Sequence, residues 1–85
     1  MTIAVKLRFF ASLREQLGEA GTLTLPDGAT VGQAREALTA RGGVHAEVLA
    51  RSRAVRAAVN QKMAAETAVL ADGDELAFFP PVTGG

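Results

Sequence analysis

The end of the chain holds the one group in this sequence that we expect to react. Residues 78–85 consist of an aromatic pair, a diproline, Val-Thr and two glycines: Phe78, Phe79, Pro80, Pro81, Val82, Thr83, Gly84 and Gly85. We expect Gly85 to carry a free carboxylate on a tip without side chains. Because proline fixes φ and has no N–H, the diproline should end a strand and continue as extended polyproline II. From Pro80 to Gly85 such a tail reaches about 15–20 Å, which suits insertion into another protein's pocket.

The residues that usually carry catalysis are scarce in the rest of the chain. His45 is the single histidine, and its position after Gly42-Gly43 favours a solvated side chain over a catalyst. The absence of cysteine excludes disulfides, thiolate zinc sites and thiol nucleophiles, so any sulfur must be held on another group. Asp72, Asp74 and Glu75 indicate a turn flanking a strand rather than a metal site. There is no phosphate-binding glycine motif, and we expect no metal and no bound cofactor.

Composition and charge narrow the class of protein further. With 85 residues, the chain has room for one domain and a small core. Hydrophobic residues make up 48% and charged residues 21%, which is typical of a globular rather than a disordered chain. Nine basic residues balance nine acidic ones without any like-charge block, so we expect no nucleic-acid and no membrane partner. The N-terminus alternates apolar and charged residues, unlike a secretory signal, which predicts a cytoplasmic protein.

The elements in the first third of the chain follow from periodicity and capping patterns. Residues 2–10 alternate with period two and predict a strand with one buried face. Ser12 and Glu15 fit a capping box at the start of a short helix, which Gly18 should end. Residues 22–25 predict a second alternating strand, after which Pro26-Asp27-Gly28 turns the chain.

The main helix is predicted after this turn. Thr30 and Gln33 form a second candidate capping box. Helical spacing continues through Val31, Ala34, Ala37, Leu38 and Arg41, and Gly42-Gly43 should close the helix. A further helical turn around Val48 and Leu49 is one interpretation of the segment that follows.

Local signals conflict over residues 53–59. Their composition favours a helix, yet Val55, Ala57 and Val59 alternate as a strand would, and Asn60-Gln61 can turn a hairpin. Propensity does not decide between the two. Asp72-Gly73-Asp74 is a strong turn signal before a last strand over residues 75–79. The order of elements indicates a small α+β sheet packed on one helix.

All four phenylalanines occur in two pairs, each at the end of a terminal strand. If the first and last strands are parallel neighbours, both pairs meet at one end of the sheet, with Phe9 and Phe78 in the core. Phe10 and Phe79 then lie on the opposite face beside the root of the tail. With Ala77 they would form an apolar patch on a face that also carries Lys6 and Arg8. Such patches usually mark an interaction site, and we favour a partner over a second element as the cover.

Three stretches resemble the MoaD/ThiS family of ubiquitin-like sulfur carriers, and within it the small subunits of molybdopterin synthase. The resemblance is most specific over residues 72–85, which end in the diproline and diglycine. Residues 57–61, Ala-Ala-Val-Asn-Gln, and residues 7–15, from Leu7 to Glu15, support it. The resemblance implies the ubiquitin-like β-grasp fold, with a mixed sheet on one main helix and with the first and last strands as parallel neighbours. It also implies a strand, rather than a helix, before Asn60.

The resemblance further implies a domain over residues 1–79, an extended flexible tail over residues 80–85, and a reaction. A separate E1-like enzyme would use ATP to adenylate Gly85, and sulfur from a donor such as a desulfurase or rhodanese would then give a thiocarboxylate. The loaded tail would donate sulfur to the cyclic pyranopterin precursor and so form the dithiolene of molybdopterin. Gly84 provides clearance for the tail.

The chain itself would be non-catalytic alone, as the sulfur-donating subunit of a sulfurtransferase. Its main partner would be the large synthase subunit, in a heterotetramer of two small and two large subunits. Residues 79–83 and Phe10 are the expected partner contacts: Phe10, Phe79, Pro80, Pro81, Val82 and Thr83. Two alternatives are a sulfur carrier for thiamine or tRNA thiolation and a ubiquitin-like binding module with an inert tail. The Phe-Phe-Pro-Pro-Val-Thr segment argues against the first.

Overall fold

The chain alternates strand, helix, strand and helix and then continues with three strands. This order is seen in a computed structural model, which describes residues 1–18, 20–43, 45, 49 and 55–79. The elements are β1 (Thr2–Phe9), α1 (Ala11–Leu17), β2 (Ala20–Pro26), α2 (Val31–Thr39), β3 (Arg56–Val59), β4 (Lys62–Ala64) and β5 (Glu75–Phe79). Among the described residues, no helix is long and apolar enough to cross a membrane.

The strands form one mixed sheet in the order β2-β1-β5-β3-β4. The first and last strands are parallel neighbours, with Leu7 opposite Leu76 and Phe9 opposite Phe78. The other pairings are antiparallel. This arrangement confirms the α+β class and the central pairing of the β-grasp fold.

The core lies between one face of the sheet and α2. Alternate residues of β1 are buried as the period-two pattern predicts, and α2 adds Val31, Ala34 and Leu38. Fully burying each large aliphatic or aromatic side chain stabilises the fold by about 1.5–3 kcal/mol. The largest fully buried side chains are Phe78, Leu38, Leu49, Leu76, Val5 and Val31.

The two predicted capping boxes have different outcomes. At α2 the box is confirmed, because the Thr30 hydroxyl accepts from the Gln33 N–H at 3.2 Å and the Gln33 side chain accepts from the Thr30 N–H at 2.9 Å. At α1 the prediction is wrong: the helix begins at Ala11, so Phe10 is the N-cap residue and no side chain caps it. The chain enters α1 directly from the end of β1, where Phe10 N–H donates to the Phe78 carbonyl at 3.1 Å. Sheet pairing therefore sets the start of this helix.

The helix ends agree with the sequence in part. Gly18 ends α1 with φ 94°, a value that glycine adopts without strain, and its N–H donates to Arg14. α2 ends at Thr39, so Arg41 lies beyond the helix in which its spacing placed it. His45 and Leu49 have helical secondary structure, so His45 does not lie in a loop, whereas Gly43 has a positive φ of 55°. Leu49 is buried, whereas Val48 lies outside the described residues.

The ambiguous stretch before Asn60 contains a strand over residues 56–59, as the family resemblance implied. β3 pairs on one side with β5 and on the other with β4, and Asn60 and Gln61 connect it to β4. Both turn residues have positive φ, 51° and 70°, as a tight hairpin turn between twisted strands requires. Two flanking strands satisfy the β3 backbone, and this outweighs a helix propensity worth only tenths of a kcal/mol per residue.

The turn before β5 uses its carboxylates for structure. Asp72 accepts from the Ala4 N–H at 2.8 Å, and Asp74 accepts from the Ala71 N–H at 2.8 Å and from the Asn60 side chain at 2.9 Å. Asn60 in turn accepts from the Glu75 N–H at 3.0 Å. These bonds tie the start of β5 to β1 and to the β3–β4 turn. The predicted turn before the last strand is confirmed.

Arg35 is a buried charge that the sequence pattern did not reveal. It lies on the apolar stripe of α2 and is 4% exposed. Its Nε donates to the Leu49 carbonyl at 2.7 Å, and its guanidinium pairs with the half-exposed carboxylate of Glu66. The pair links α2 to the segment after β4, where the Gly32 N–H also donates to the Glu66 carbonyl at 2.8 Å.

Replacing Arg35 by methionine is expected to lower the free energy of unfolding by about 2 kcal/mol, because the buried Leu49 carbonyl loses its donor at 2.7 Å and keeps the longer contact of 3.4 Å from the Thr39 hydroxyl. The partial exposure of Glu66 limits the cost of leaving its charge unpaired. The matched control is Arg41→Met at an exposed position after α2, where a change within about 0.5 kcal/mol is expected. Urea denaturation measures both, and equal values would contradict the role assigned to Arg35.

Candidate functional site: the exposed sheet face at the root of the tail

The face of the sheet turned away from α2 carries the alternate residues of each strand. Arg8 on β1 lies opposite Ala77 on β5, and Ala77 lies opposite Ala58 on β3. Two residues further along β5, Phe79 lies opposite Arg56 on β3. The small side chains at the centre leave a depression between the larger residues on either side.

The two members of each phenylalanine pair lie on opposite faces of the sheet, as predicted. Phe9 and Phe78 are buried in the core, with ring centroids 6.3 Å apart and planes at 17°. Phe10 and Phe79 lie on the other face, also 6.3 Å apart but edge to face at 75°. Phe10 is 41% exposed, and Phe79 is partly buried. Edge-to-face packing of this kind contributes about 0.5–1.5 kcal/mol, so the pair forms one ordered apolar surface.

A groove of about 270 Å³ runs beside this pair. It is open to solvent and has an apolar floor of small residues. The lining residues are Arg8, Phe10, Ala58, Gln61, Met63, Glu75, Ala77 and Phe79.

Met63 extends the apolar surface and was missed by the sequence interpretation. It is 60% exposed and lies opposite Ala58 in the β3–β4 hairpin. The signal was present in the hairpin register, since a two-residue turn at Asn60-Gln61 sets residue 63 opposite residue 58. We refer below to Phe10, Met63, Ala77 and Phe79 as the apolar patch.

Charged side chains border the apolar patch. The Arg8 guanidinium carbon lies 5.4 Å from the centroid of the Phe10 ring, within the range of a cation–π contact. The same guanidinium is 3.6 Å from a Glu75 carboxylate oxygen, and the Arg8 side chain remains 46% exposed. Arg8 therefore packs on the aromatic pair while presenting its charge to solvent.

The predicted tail, Pro80 to Gly85, lies outside the described residues, so the structure tests neither its conformation nor its role. Its root is Phe79, which packs against Phe10. No three histidine or carboxylate side chains in the described part of the chain are grouped as metal ligands. His45 is half-buried and far along the chain from the apolar patch.

Comparison with known proteins identifies the family. The model of the ThiS family matches residues 7–85. The chain belongs to the ThiS family. The match begins within β1 and includes the other strands, both helices and residues 80–85.

Among ThiS-family relatives, the chain is 42% identical over 81 residues to the molybdopterin synthase sulfur carrier subunit of Escherichia coli K12, covering 95% of this chain and 99% of that protein. It is 39% identical over 77 residues to the protein of the same name from Haemophilus influenzae, covering 91% and 94%. The crystal structure of SAMP1 from Haloferax volcanii is similar to it, with a TM-score of 0.77, 32% identity, and coverage of 96% and 99%. These likenesses agree with the ubiquitin-like β-grasp architecture.

Proposed function

We propose that this chain is the sulfur carrier subunit of molybdopterin synthase. The observation that carries the proposal is the near full-length likeness to the Escherichia coli subunit of that name. The position of the apolar patch beside the root of the diglycine tail supports it, because one surface can then both dock and deliver. In this proposal the partner is the large synthase subunit, and two small and two large subunits form a heterotetramer.

The chemistry of a terminal carboxylate explains why a separate activating enzyme is needed. A carboxylate is a poor electrophile because its negative charge is shared by two oxygens and neither can leave. Attack of one Gly85 oxygen on the α-phosphorus of ATP releases pyrophosphate and gives an acyl-adenylate. The sequence has no phosphate-binding glycine motif, which is consistent with ATP being bound by an E1-like enzyme in trans.

Sulfur then replaces the adenylate. A sulfur nucleophile supplied by a desulfurase or rhodanese attacks the Gly85 carbonyl carbon, the C–O bond to AMP breaks, and AMP leaves. Because the donor carries this sulfur as a persulfide, the product is an acyl disulfide. A thiol then attacks the donor's own sulfur, the S–S bond breaks, a disulfide forms on the donor, and the Gly85 thiocarboxylate leaves. A chain without cysteine can thus carry sulfur on its own backbone terminus.

The loaded tail donates its sulfur to the cyclic pyranopterin precursor in a pocket of the large subunit. A dithiolene contains two sulfurs, so two loaded carriers are used for each molybdopterin. The catalytic base and the cations that bind the precursor belong to the large subunit in this scheme. The carrier contributes the nucleophilic sulfur and its position.

The tail residues suit this delivery. Gly84 and Gly85 let the backbone enter a narrow channel without side-chain clashes. Pro80 and Pro81 restrict the unbound tail, which reduces the entropy lost when it becomes ordered in the pocket. Val82 and Thr83 complete the segment that the channel holds, and apolar burial at Phe10 and Phe79 supplies about 25 cal/mol per Å² before the cost of association.

Intact mass measures whether the tail can be loaded. After co-expression with a cognate activating enzyme and a sulfur donor, we expect the mass increase of one oxygen replaced by one sulfur, localised to Gly85 by fragmentation. The matched control is the same chain with one alanine added after Gly85, which should stay unloaded. An unchanged mass under conditions that load a known carrier would refute the proposal and leave a binding module with an inert tail.

A loaded chain that fails to convert the precursor would point to the thiamine or tRNA thiolation alternative. The activity assay with the large synthase subunit separates that case from the proposed one.

A further inference from the structure

The exposed face of the sheet is cationic although the chain as a whole is neutral. Among the described strand residues on this face, three are basic, Lys6, Arg8 and Arg56, and one is acidic, Glu75. The formal net charge of the full sequence is zero. These strand residues therefore have a formal net charge of +2, three basic minus one acidic, on the side that carries the apolar patch.

The two arginines lie on opposite sides of the Phe10–Phe79 pair. Arg8 precedes Phe10 on the β1 side, whereas Arg56 on β3 lies opposite Phe79 in the register. Both are exposed. A surface that covers the two rings therefore lies beside the Arg8 guanidinium and beside the β3 position that Arg56 occupies.

The two arginines differ in their contacts within the fold. Arg8 is oriented by the Phe10 ring and by Glu75. Arg56 forms no ion pair with another residue in the described part of the chain. Contacts within the fold explain a basic residue at position 8 but not at position 56. Binding to a partner protein explains a basic residue at both positions.

We infer that Arg8 and Arg56 select the partner by charge. The surface of the large subunit that receives the apolar patch is apolar at its centre and carries carboxylates at its rim, one near each arginine. Guanidinium groups suit this role because they bind carboxylates through two parallel N–H···O bonds. This inference rests on the proposed function for the identity of the partner, and it adds the chemistry of the contact.

Covering these cations without acceptors would be unfavourable, since a desolvated charge needs a partner. Charges at the rim of an interface act mainly on the association rate and on the rejection of wrong partners. The acidic rim would therefore speed encounter at low ionic strength and would discriminate against proteins with a neutral or basic rim.

Removing the negative charge of Glu75 should change the association rate in the opposite direction to removing either arginine. Its carboxylate faces Arg8 and lies within the same groove, so it weakens the positive field and would face the carboxylates of the partner. Removing this negative charge should favour association, whereas removing either arginine should slow it. A purely structural Arg8–Glu75 pair would instead make both changes unfavourable.

The experiment measures the association rate constant with the cognate large subunit over a series of salt concentrations. Arg8→Leu keeps an apolar contact with Phe10, and Arg56→Gln changes an exposed position that should not affect folding. We expect each to lower the rate constant by about threefold at low salt and to flatten its salt dependence. Glu75→Gln should raise the rate constant, and the control Arg41→Gln, at an exposed cation after α2, should leave it unchanged.

The outcomes separate the inference from the proposed function. A wild-type rate constant that does not depend on salt, or a change in the same direction for Arg56→Gln and Glu75→Gln, would overturn charge selection while leaving the carrier function in place. A wild-type chain that does not bind the large subunit would overturn both. Thermal unfolding of each variant confirms that altered rates reflect the interface.

Discussion

Removal of Gly85 is expected to abolish conversion of the cyclic pyranopterin precursor. The reacting carboxylate would then belong to Gly84, one residue short of the position that the activating enzyme and the large subunit receive. A shift of one residue moves the terminus by about 3.5 Å, which is more than the tolerance of a reaction between positioned groups. Single-turnover assays with the large subunit and loaded carrier measure the loss.

Folding and docking should survive the deletion. The described core consists of residues upstream of the tail, with Phe78 as its last large buried member. We expect an unchanged unfolding midpoint and an affinity for the large subunit within a few-fold of the wild type. Gly85→Ala is the matched control: it keeps the length and the carboxylate but adds a methyl group, and should retain part of the activity. A deletion variant that fails to fold would contradict the separation of tail and domain.

Replacing Phe79 by aspartate is expected to weaken docking by about 100-fold, or roughly 2.7 kcal/mol. The change removes half of the Phe10–Phe79 pair and places a charge at the centre of the apolar patch. A buried carboxylate without a partner is costly, so the bound state loses more than the area of the ring. Calorimetry or surface plasmon resonance with the large subunit measures the affinity.

The same change should cost the free chain little, about 1 kcal/mol, because Phe79 faces away from the core. Val69→Asp is the control, since Val69 is an apolar residue with 65% exposure that does not line the groove. It should leave the affinity unchanged. Unaltered affinity of Phe79→Asp would refute the assignment of the apolar patch, whereas unfolding would show that Phe79 belongs to the core.

The two phenylalanine pairs illustrate how much of the candidate site was predictable. Period-two alternation decided which member of each pair is buried, because successive side chains of a strand point to opposite faces. That the pairs meet at one end depended on parallel pairing of β1 and β5, which alternation does not specify. The family resemblance supplied that pairing, and the register of Phe9 opposite Phe78 confirms it.

Other features depended on contacts between residues distant in sequence. Met63 reaches the apolar patch only because β3 pairs with both β5 and β4. The local pattern before Asn60 left helix and strand open, and the strand that the family resemblance implied is confirmed. Arg35 occupies the apolar stripe of α2 because Leu49 and Glu66, 14 and 31 residues away, supply its partners. The start of α1 at Ala11 follows from the extension of β1 pairing to Phe10, which overrides the local Ser12–Glu15 pattern.

The sequence by itself determined the features that act over a few residues: the buried face of β1, the capping box of α2 and the hairpin turn. These depend on side-chain period, local hydrogen bonds and backbone freedom, which neighbouring residues control. Beyond the β1–β5 pairing that the family resemblance implied, tertiary structure decided the order of the strands, where a buried charge finds its partners, and how Arg8 and Arg56 border the apolar patch. Those outcomes require elements far apart in the chain to meet, and the free energy of packing them exceeds the local preferences of any one segment.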